Sequence, residues 1–409
     1  MSSMTDDGCE VTMTDDPQRL RVFFVVQPTA AHYREPLLRC LLASDHLDID
    51  LHGRVTNTEV PSSEEIHSAS QDVLSQVTPI DFRTAGEFWW ERGQVSAIWR
   101  GTHDVYVLAG RIYTLSAWVA TLVGRLRGRT VLLWGHGWKR PEQGIKRLLR
   151  LALYALCDGL LVYGDRAVAL GVSYGVPEDK FAVVYNSIYS EAQIGDVRAS
   201  RAPDDADPSR STVLYSARLT ARHRLDTLAE ALAQMTQPPR AVIIGDGAER
   251  ERLERRFAEL DVDAEFLGPV YDQYRLRELY AQAYAALSIG GAGLNVTQAM
   301  SFAVPVIAEA DHPDSSPEIE AVEEGVSGRY FAHGDPASLA RVLTRTLADP
   351  AELRRLGQRG LQIVRARYTA ERHAEAIETS ILRLAERARI RRARTSRRRP
   401  ARWDEPTPR

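Results

Sequence analysis

Cysteine and lysine are scarce in this chain. The three cysteines, Cys9, Cys40 and Cys157, are too few and too scattered for a disulfide framework or a zinc cage, and they suit a reducing compartment. The only lysines are Lys139, Lys146 and Lys180, so arginine carries nearly all the positive charge. No stretch reaches the roughly 18 uncharged apolar residues that a bilayer span needs, and the apolar segment 112–124 is too short. No basic segment followed by an apolar core stands near residue 1, so a secretory signal is not expected and a cytoplasmic location is. The net charge of −3 by itself names no partner.

What is present points to two α/β domains. The chain has 409 residues, 44% of them apolar, which is long for a single core. Residues 1–19 are acidic and polar and read as a disordered leader. Strand-like apolar runs at 21–27, 49–52, 105–109, 130–134, 159–163 and 181–185 alternate with amphipathic stretches at 35–44, 115–126 and 146–156. That alternation predicts a parallel sheet covered on both faces over 20–190. Residues 191–211, rich in Asp, Arg, Ser, Pro and Ala, read as a linker. A second series of strands is expected at 212–216, 241–245, 265–267, 285–289 and 304–308. Helices fall between or after them, at 225–235, 248–260, 274–282, 295–302 and 337–347, within a domain of 212–368. A C-terminal helix (369–390) and an arginine-rich tail (391–409) follow. Ligands in such doubly wound sheets bind at the carboxyl ends of strands, and a cleft between two units is the natural site.

Four features stand at expected strand ends in the second unit: Ser216 to Leu219 with Arg218 among them, Gly245-Asp246-Gly247, the run Gly290-Gly291-Ala292-Gly293-Leu294-Asn295, and a polar loop with Asp311, Ser315, Ser316 and Glu318. Glycines there let backbone approach a ligand closely. A helix starting near Asn295 offers free N–H groups and a positive dipole end to a phosphate. Arg218 adds a permanent, bidentate cation. Each loop alone reads more readily as an ordinary βα turn. The four in order favour a phosphate site.

From 212 to 366 the sequence resembles the donor domain of family 4 retaining glycosyltransferases, which are nucleotide-sugar-dependent and have the GT-B fold. The resemblance rests on VLYSARL, VIIGDGAERERLE, FLGPV, ELYAQAYAALSIG, GLNVTQAMSFAVPVI, PEIEAVEEGVSG and GDPASLARVL. QPTAAHYREPLL, LLWGHGWKR and VYNSI in the first half are similar to that family's acceptor domain. The resemblance implies two Rossmann-like domains facing a cleft, with catalytic roles for His136, which would reach the donor sugar, and Arg218, which would hold the diphosphate. It implies donor contacts from Gly245, Gly290, Gly291, Gly293, Leu294, Asn295, Gln298, His223 and Glu318. It implies no metal and no cofactor beyond the donor itself. The sequence Asp48-Ile49-Asp50 matches a metal-binding DxD, but it spans an expected strand whose side chains alternate in direction.

Three positions depart from the family's pattern. Gly290 and Gln298 stand where it has two glutamates, and His223 where it has a lysine. Gln298 keeps an acceptor oxygen for a ribose hydroxyl, without charge. His223 is cationic only if a phosphate raises its pKa. His136 also reads as a buried histidine satisfied by backbone. His32 and Arg34 follow the first strand and read either as acceptor-side groups or as a solvated helical turn. The expected function is sugar transfer to a glycan or lipid-linked acceptor, in surface polysaccharide or glycolipid assembly. A non-catalytic paralogue that binds a nucleotide sugar or a partner glycosyltransferase is the rival. An epimerase would need further cleft carboxylates, and a phosphorylase a lysine in the second domain. The arginine tail reads either as a solvated end or as an anchor to an anionic membrane, at the inner face of the plasma membrane. It lacks interleaved aromatics apart from Trp403, so no nucleic-acid partner is expected.

Overall fold

The structure, a computed structural model, describes residues 19–27, 29–55, 67–195 and 211–397. The expected leader (1–18), residues 196–210 of the expected linker and the tail from 398 onward lie outside these residues. Strands β1 (Leu20–Val25), β2 (Leu47–Gly53), β3 (Val77–Pro79), β4 (Phe82–Ala85), β5 (Phe88–Glu91), β6 (Val105–Ala109), β7 (Thr130–Gly135), β8 (Gly159–Val162) and β9 (Phe181–Val183) belong to the first unit. The second holds β10 (Thr212–Ser216), β11 (Arg240–Ile244), β12 (Ala264–Gly268), β13 (Ala285–Ser288), β14 (Val306–Glu309) and β15 (Gly328–Phe331). Two parallel sheets result, in the orders β3-β2-β1-β6-β7-β8-β9 and β12-β11-β10-β13-β14-β15. The central strands are mostly apolar because helices cover both faces: every residue of β6, β8, β13 and β14 is buried. This is the GT-B architecture.

Strand order reverses between β1 and β6 in one sheet and between β10 and β13 in the other. The chain leaving β10 and the chain leaving β13 therefore lead to helices on opposite sides of the sheet, and a ligand crevice is expected at this second switch point.

Several elements escaped the sequence pattern. β3 has three residues with only Val77 buried, and the antiparallel hairpin β4–β5 is mostly exposed, so neither gives an apolar run. β15, at a sheet edge, is half-buried at its centre. The linker expectation is corrected at its start, where Glu191–Ile194 is a short helix. Ser190 and Gln193 close a capping box on it, and Ile194 is buried beneath.

The C-terminal helix, Ala370–Arg397, outruns its expected end at 390. It crosses back to the first unit and places Ala374, Ile377, Ile381 and Leu384 in the same core as Val22, Phe24 and Trp134. Its arginines are partly structural. Arg387 chelates Asp179 at 2.6 and 2.8 Å, Arg391 binds Asp158, and Arg392 reaches the Thr130 hydroxyl at 2.6 Å. No described helix is long and apolar enough to cross a membrane. Leu384 packs against Gly159, where an added Cβ would lie 2.6 Å from the leucine. Leu384→Ala should cost about 2–5 kcal/mol, read as a lower denaturant midpoint; an unchanged midpoint would show that the strap adds no stability.

Candidate active site

The loop after β13 is held by backbone as much as by side chains. Gly290 has φ +74°, and a Cβ there would sit 2.2 Å from His223 Cα, in the loop after β10. Its N–H donates to Glu309 Oε2 at 2.7 Å. Glu309 is buried at the end of β14, and its Oε1 accepts from Arg224 Nη2 at 2.9 Å and from Gly334 N at 2.8 Å, with His333 Nδ1 also at 2.8 Å. Ala292 N donates to Ser315 Oγ at 3.2 Å, and Gly293 N to Asn295 Oδ1 at 2.9 Å. No side chain caps the helix Leu294–Ser301 at Gly293, so its first N–H groups suit an anion. Gly245 makes a similar close approach, since a Cβ there would meet Ala217 O at 2.0 Å beside Arg218. Arg218 itself is exposed on this rim.

His223 is buried, with Nδ1 2.8 Å from Thr220 Oγ1 and Nε2 3.2 Å from Arg222 Nη2. A guanidinium only donates, so in this arrangement Nε2 faces a donor. Lys139, from the first unit, reaches the same side of the cleft: its Nζ donates to Ser316 Oγ at 3.0 Å. Burial lowers its pKa and nearby Glu318 raises it.

Gln298 projects from the same helix toward β10. Its Oε1 accepts from Tyr280 OH at 3.2 Å and Ser216 Oγ at 3.3 Å, and its Nε2 donates to Tyr189 OH at 3.0 Å. Gln298 and Ser216 line a cavity of about 530 Å³ with Val270, Tyr271 and, from the first unit, His32 and Tyr33. Tyr271 lies tilted against His67 (3.9 Å between ring centroids) and edge-on to His32 (5.2 Å).

A second cavity, of about 490 Å³, lies on the first-unit side of the cleft and is closed by Pro313 and Asp314 of the second. His136 opens into it, edge-on to Tyr163 at 4.9 Å. The ring is exposed to the cavity yet deep in the cleft. Poor hydration there, then Lys139, Arg34, Arg111 and Arg150, push its pKa down to about 3. His136 is therefore a neutral imidazole at ordinary pH. Arg34 is buried between Gln27 O (3.1 Å), Tyr163 OH (3.2 Å) and Asn186 Oδ1 (3.2 Å), and Asn186 Nδ2 donates to Glu318 Oε1 at 2.6 Å. His32 and Arg34, two residues apart, thus serve different places. His32 faces the Gln298 cavity and Arg34 the wall of the His136 cavity.

Glu309, His312 and His333 bring possible metal ligands within 4.8 Å of one another. The Arg224 guanidinium already occupies the cation's place at that carboxylate. Asp48 and Asp50 lie on β2, and Asp50 pairs with His52 and His103. Glu309, Lys139 and Asn186 were missed from sequence. Only Lys139 left a signal, as one of three lysines and three residues after His136.

Residues 196–362 match the family described as glycosyl transferases group 1. No curated protein sequence matches the chain. Solved structures that share its fold include three from different proteins. HepE from Anabaena in complex with UDP is 16% identical with TM-score 0.63, covering 88% of this chain and 99% of that one. The lipopolysaccharide outer core galactosyltransferase WaaB is 15% identical with TM-score 0.64, covering 89% and 99%. A glycosyltransferase from Rickettsia africae is 12% identical with TM-score 0.67, covering 90% and 99%.

Two outcomes follow from the geometry. Gly290→Ala meets both a left-handed φ and the His223 backbone, so it should cost at least about 1–3 kcal/mol, seen as a lower thermal midpoint; an unchanged midpoint refutes the contact. Glu91, buried in the wall of the His136 cavity, has its pKa raised to about 7 by burial, against which Arg111 acts. The folded value exceeds the unfolded one. Its penalty is thus absent below about pH 4.5 and grows as pH rises through 7, to on the order of 3 kcal/mol. Glu91→Gln should gain stability over the parent at pH 8 and little at pH 4.5; an equal gap at both pH values counts against this.

Proposed function

With a second unit of the glycosyl transferases group 1 family on a GT-B fold, we propose that the chain transfers a sugar from a nucleotide diphosphate sugar to a glycan or lipid-linked acceptor. The proposal includes retention of configuration, no metal ion, and work at the inner face of the plasma membrane in polysaccharide or glycolipid assembly. The observation that carries it is the second switch point. There a glycine loop locked to the neighbouring loop backbone, an uncapped helix N-terminus and Arg218 converge. HepE, of the same fold, was solved with UDP.

In this reading the ribose lies at Ser216 and Gln298 and the base lies toward Val270 and Tyr271. The diphosphate meets the helix N-terminus, Arg218 and Lys139. Stabilising the departing diphosphate is the main electrostatic work, done by donors fixed before reaction. His136, held neutral, gives the sugar a hydrogen-bond partner without adding a cation beside the developing oxocarbenium charge. The acceptor occupies the His136 cavity and attacks from the face the diphosphate leaves, passing its proton to the departing phosphate.

One observation favours the rival non-catalytic reading: no side chain fits at 290, so the loop offers the sugar no carboxylate there. A thermal-shift screen of nucleotide sugars followed by transfer and hydrolysis assays separates the two. The parent should bind and turn over one donor, and Arg218→Ala should lose about 10²–10³-fold in kcat. Arg218→Ala working at the parent rate ends the role assigned to it. Binding without turnover leaves the non-catalytic reading.

A further inference from the structure

The helix Leu115–Arg127 is amphipathic the wrong way round for a covering helix. Its inward positions are small: Ser116, Ala117, Ala120, Thr121 and Gly124 are buried. Its outward positions Leu115, Val119, Leu122 and Leu126, spaced by three or four residues on one face, are exposed, Leu126 to 77%. The neighbouring helix Gly144–Leu156 repeats this, with Ile145 71% exposed and Leu148 and Leu149 beside it. The two helices pack side by side, and Arg125 Nη1 donates across to Ala155 O at 3.2 Å. On the other flank Trp99 is 57% exposed, with the Arg127 guanidinium 4.7 Å from its ring. Phe88 and Trp90 of the hairpin are exposed as well. Scattered exposed leucines are ordinary, but aligned stripes on adjacent helices with exposed aromatics beside them mark an interaction surface.

Charge selects the partner. The chain is acidic overall, yet residues 82–157, which hold this face and its hairpin, carry twelve Lys or Arg against four acids, Glu87, Glu91, Asp104 and Glu142. Glu142 is already chelated by Arg150 at 2.8 Å. An apolar face with tryptophans and a cationic surround fits the headgroup and upper acyl region of an anionic bilayer. We infer that the outer face of the helices Leu115–Arg127 and Gly144–Leu156, with Phe88, Trp90 and Trp99, docks the protein on an anionic lipid surface. Arg387, Arg391 and Arg392 are already engaged by Asp179, Asp158 and Thr130, so the anchor is built from the two helices and the aromatics rather than from these arginines. The same face borders the mouth of the His136 cavity, whose lining includes Trp89, Tyr113, Thr114 and Lys146. The docking claim does not rest on the transferase reading.

The test is flotation of the full chain with phosphatidylcholine vesicles, with and without about one-third phosphatidylglycerol, at low and high salt. The parent should float with the anionic vesicles, at least tenfold less with the neutral ones, and less in high salt. Leu122→Glu with Leu126→Glu, and Ile145→Glu with Leu148→Glu, should each cut flotation at least tenfold. Unchanged thermal midpoints would show that these exposed positions leave folding intact. Removing residues 398–409 should leave flotation unaltered. A parent that does not float, glutamate variants that float like the parent, or loss of flotation on removing 398–409 alone would each overturn the inference. So would a parent that runs as a dimer and fails to float while the glutamate variants run as monomers, since a second copy would then cover the face.

Discussion

The buried chain Arg34–Asn186–Glu318 is the interaction on which the cleft depends. A guanidinium out of water is tolerated only when its donors are met and a countercharge is near. Here Gln27 O, Tyr163 OH and Asn186 Oδ1 take the donors, and Asn186 passes the contact on to the Glu318 carboxylate of the second unit. Glu320 adds to it by accepting from the N–H groups of Asp165 and Arg166, at the start of a first-unit helix. With the C-terminal strap on the first unit's core, these contacts set how far apart the two cavities and the glycine loop stand.

Much of the fold was legible because buried parallel strands must be apolar throughout. β6 and β10 fall at the expected residues, and the helices around them within a few. The hairpin and β3 were illegible because little of either is buried, so no alternation marks them. The site was legible where backbone geometry dictates residue type. Gly245 and Gly290 had to be glycine, and their neighbourhood identified the switch point. It was illegible where long-range pairing decides a role. Nothing in the sequence says that Asn186 joins Arg34 to Glu318, that Lys139 reaches Ser316, or that Glu309 would gather Arg224, His333 and two backbone N–H groups.

The charge departures also read differently once partners are known. His223 is buried, with its ring nitrogens beside Thr220 and Arg222. Gln298, with no charge, is satisfied on oxygen and nitrogen by three hydroxyl-bearing side chains. In the proposed reading, positive charge for a diphosphate comes from both sides of the cleft, from Arg218 on one and Lys139 on the other. Such a site is complete only when the units are close.

The contact between Gly290 and the His223 backbone ties two loops into one unit of change. A side chain at 290 and the present course of the loop after β10 exclude each other, because the same small volume would have to hold both. Any residue larger than glycine at 290 therefore requires the loop after β10 to move with it, and a carboxylate cannot enter there as a single substitution without displacing that backbone.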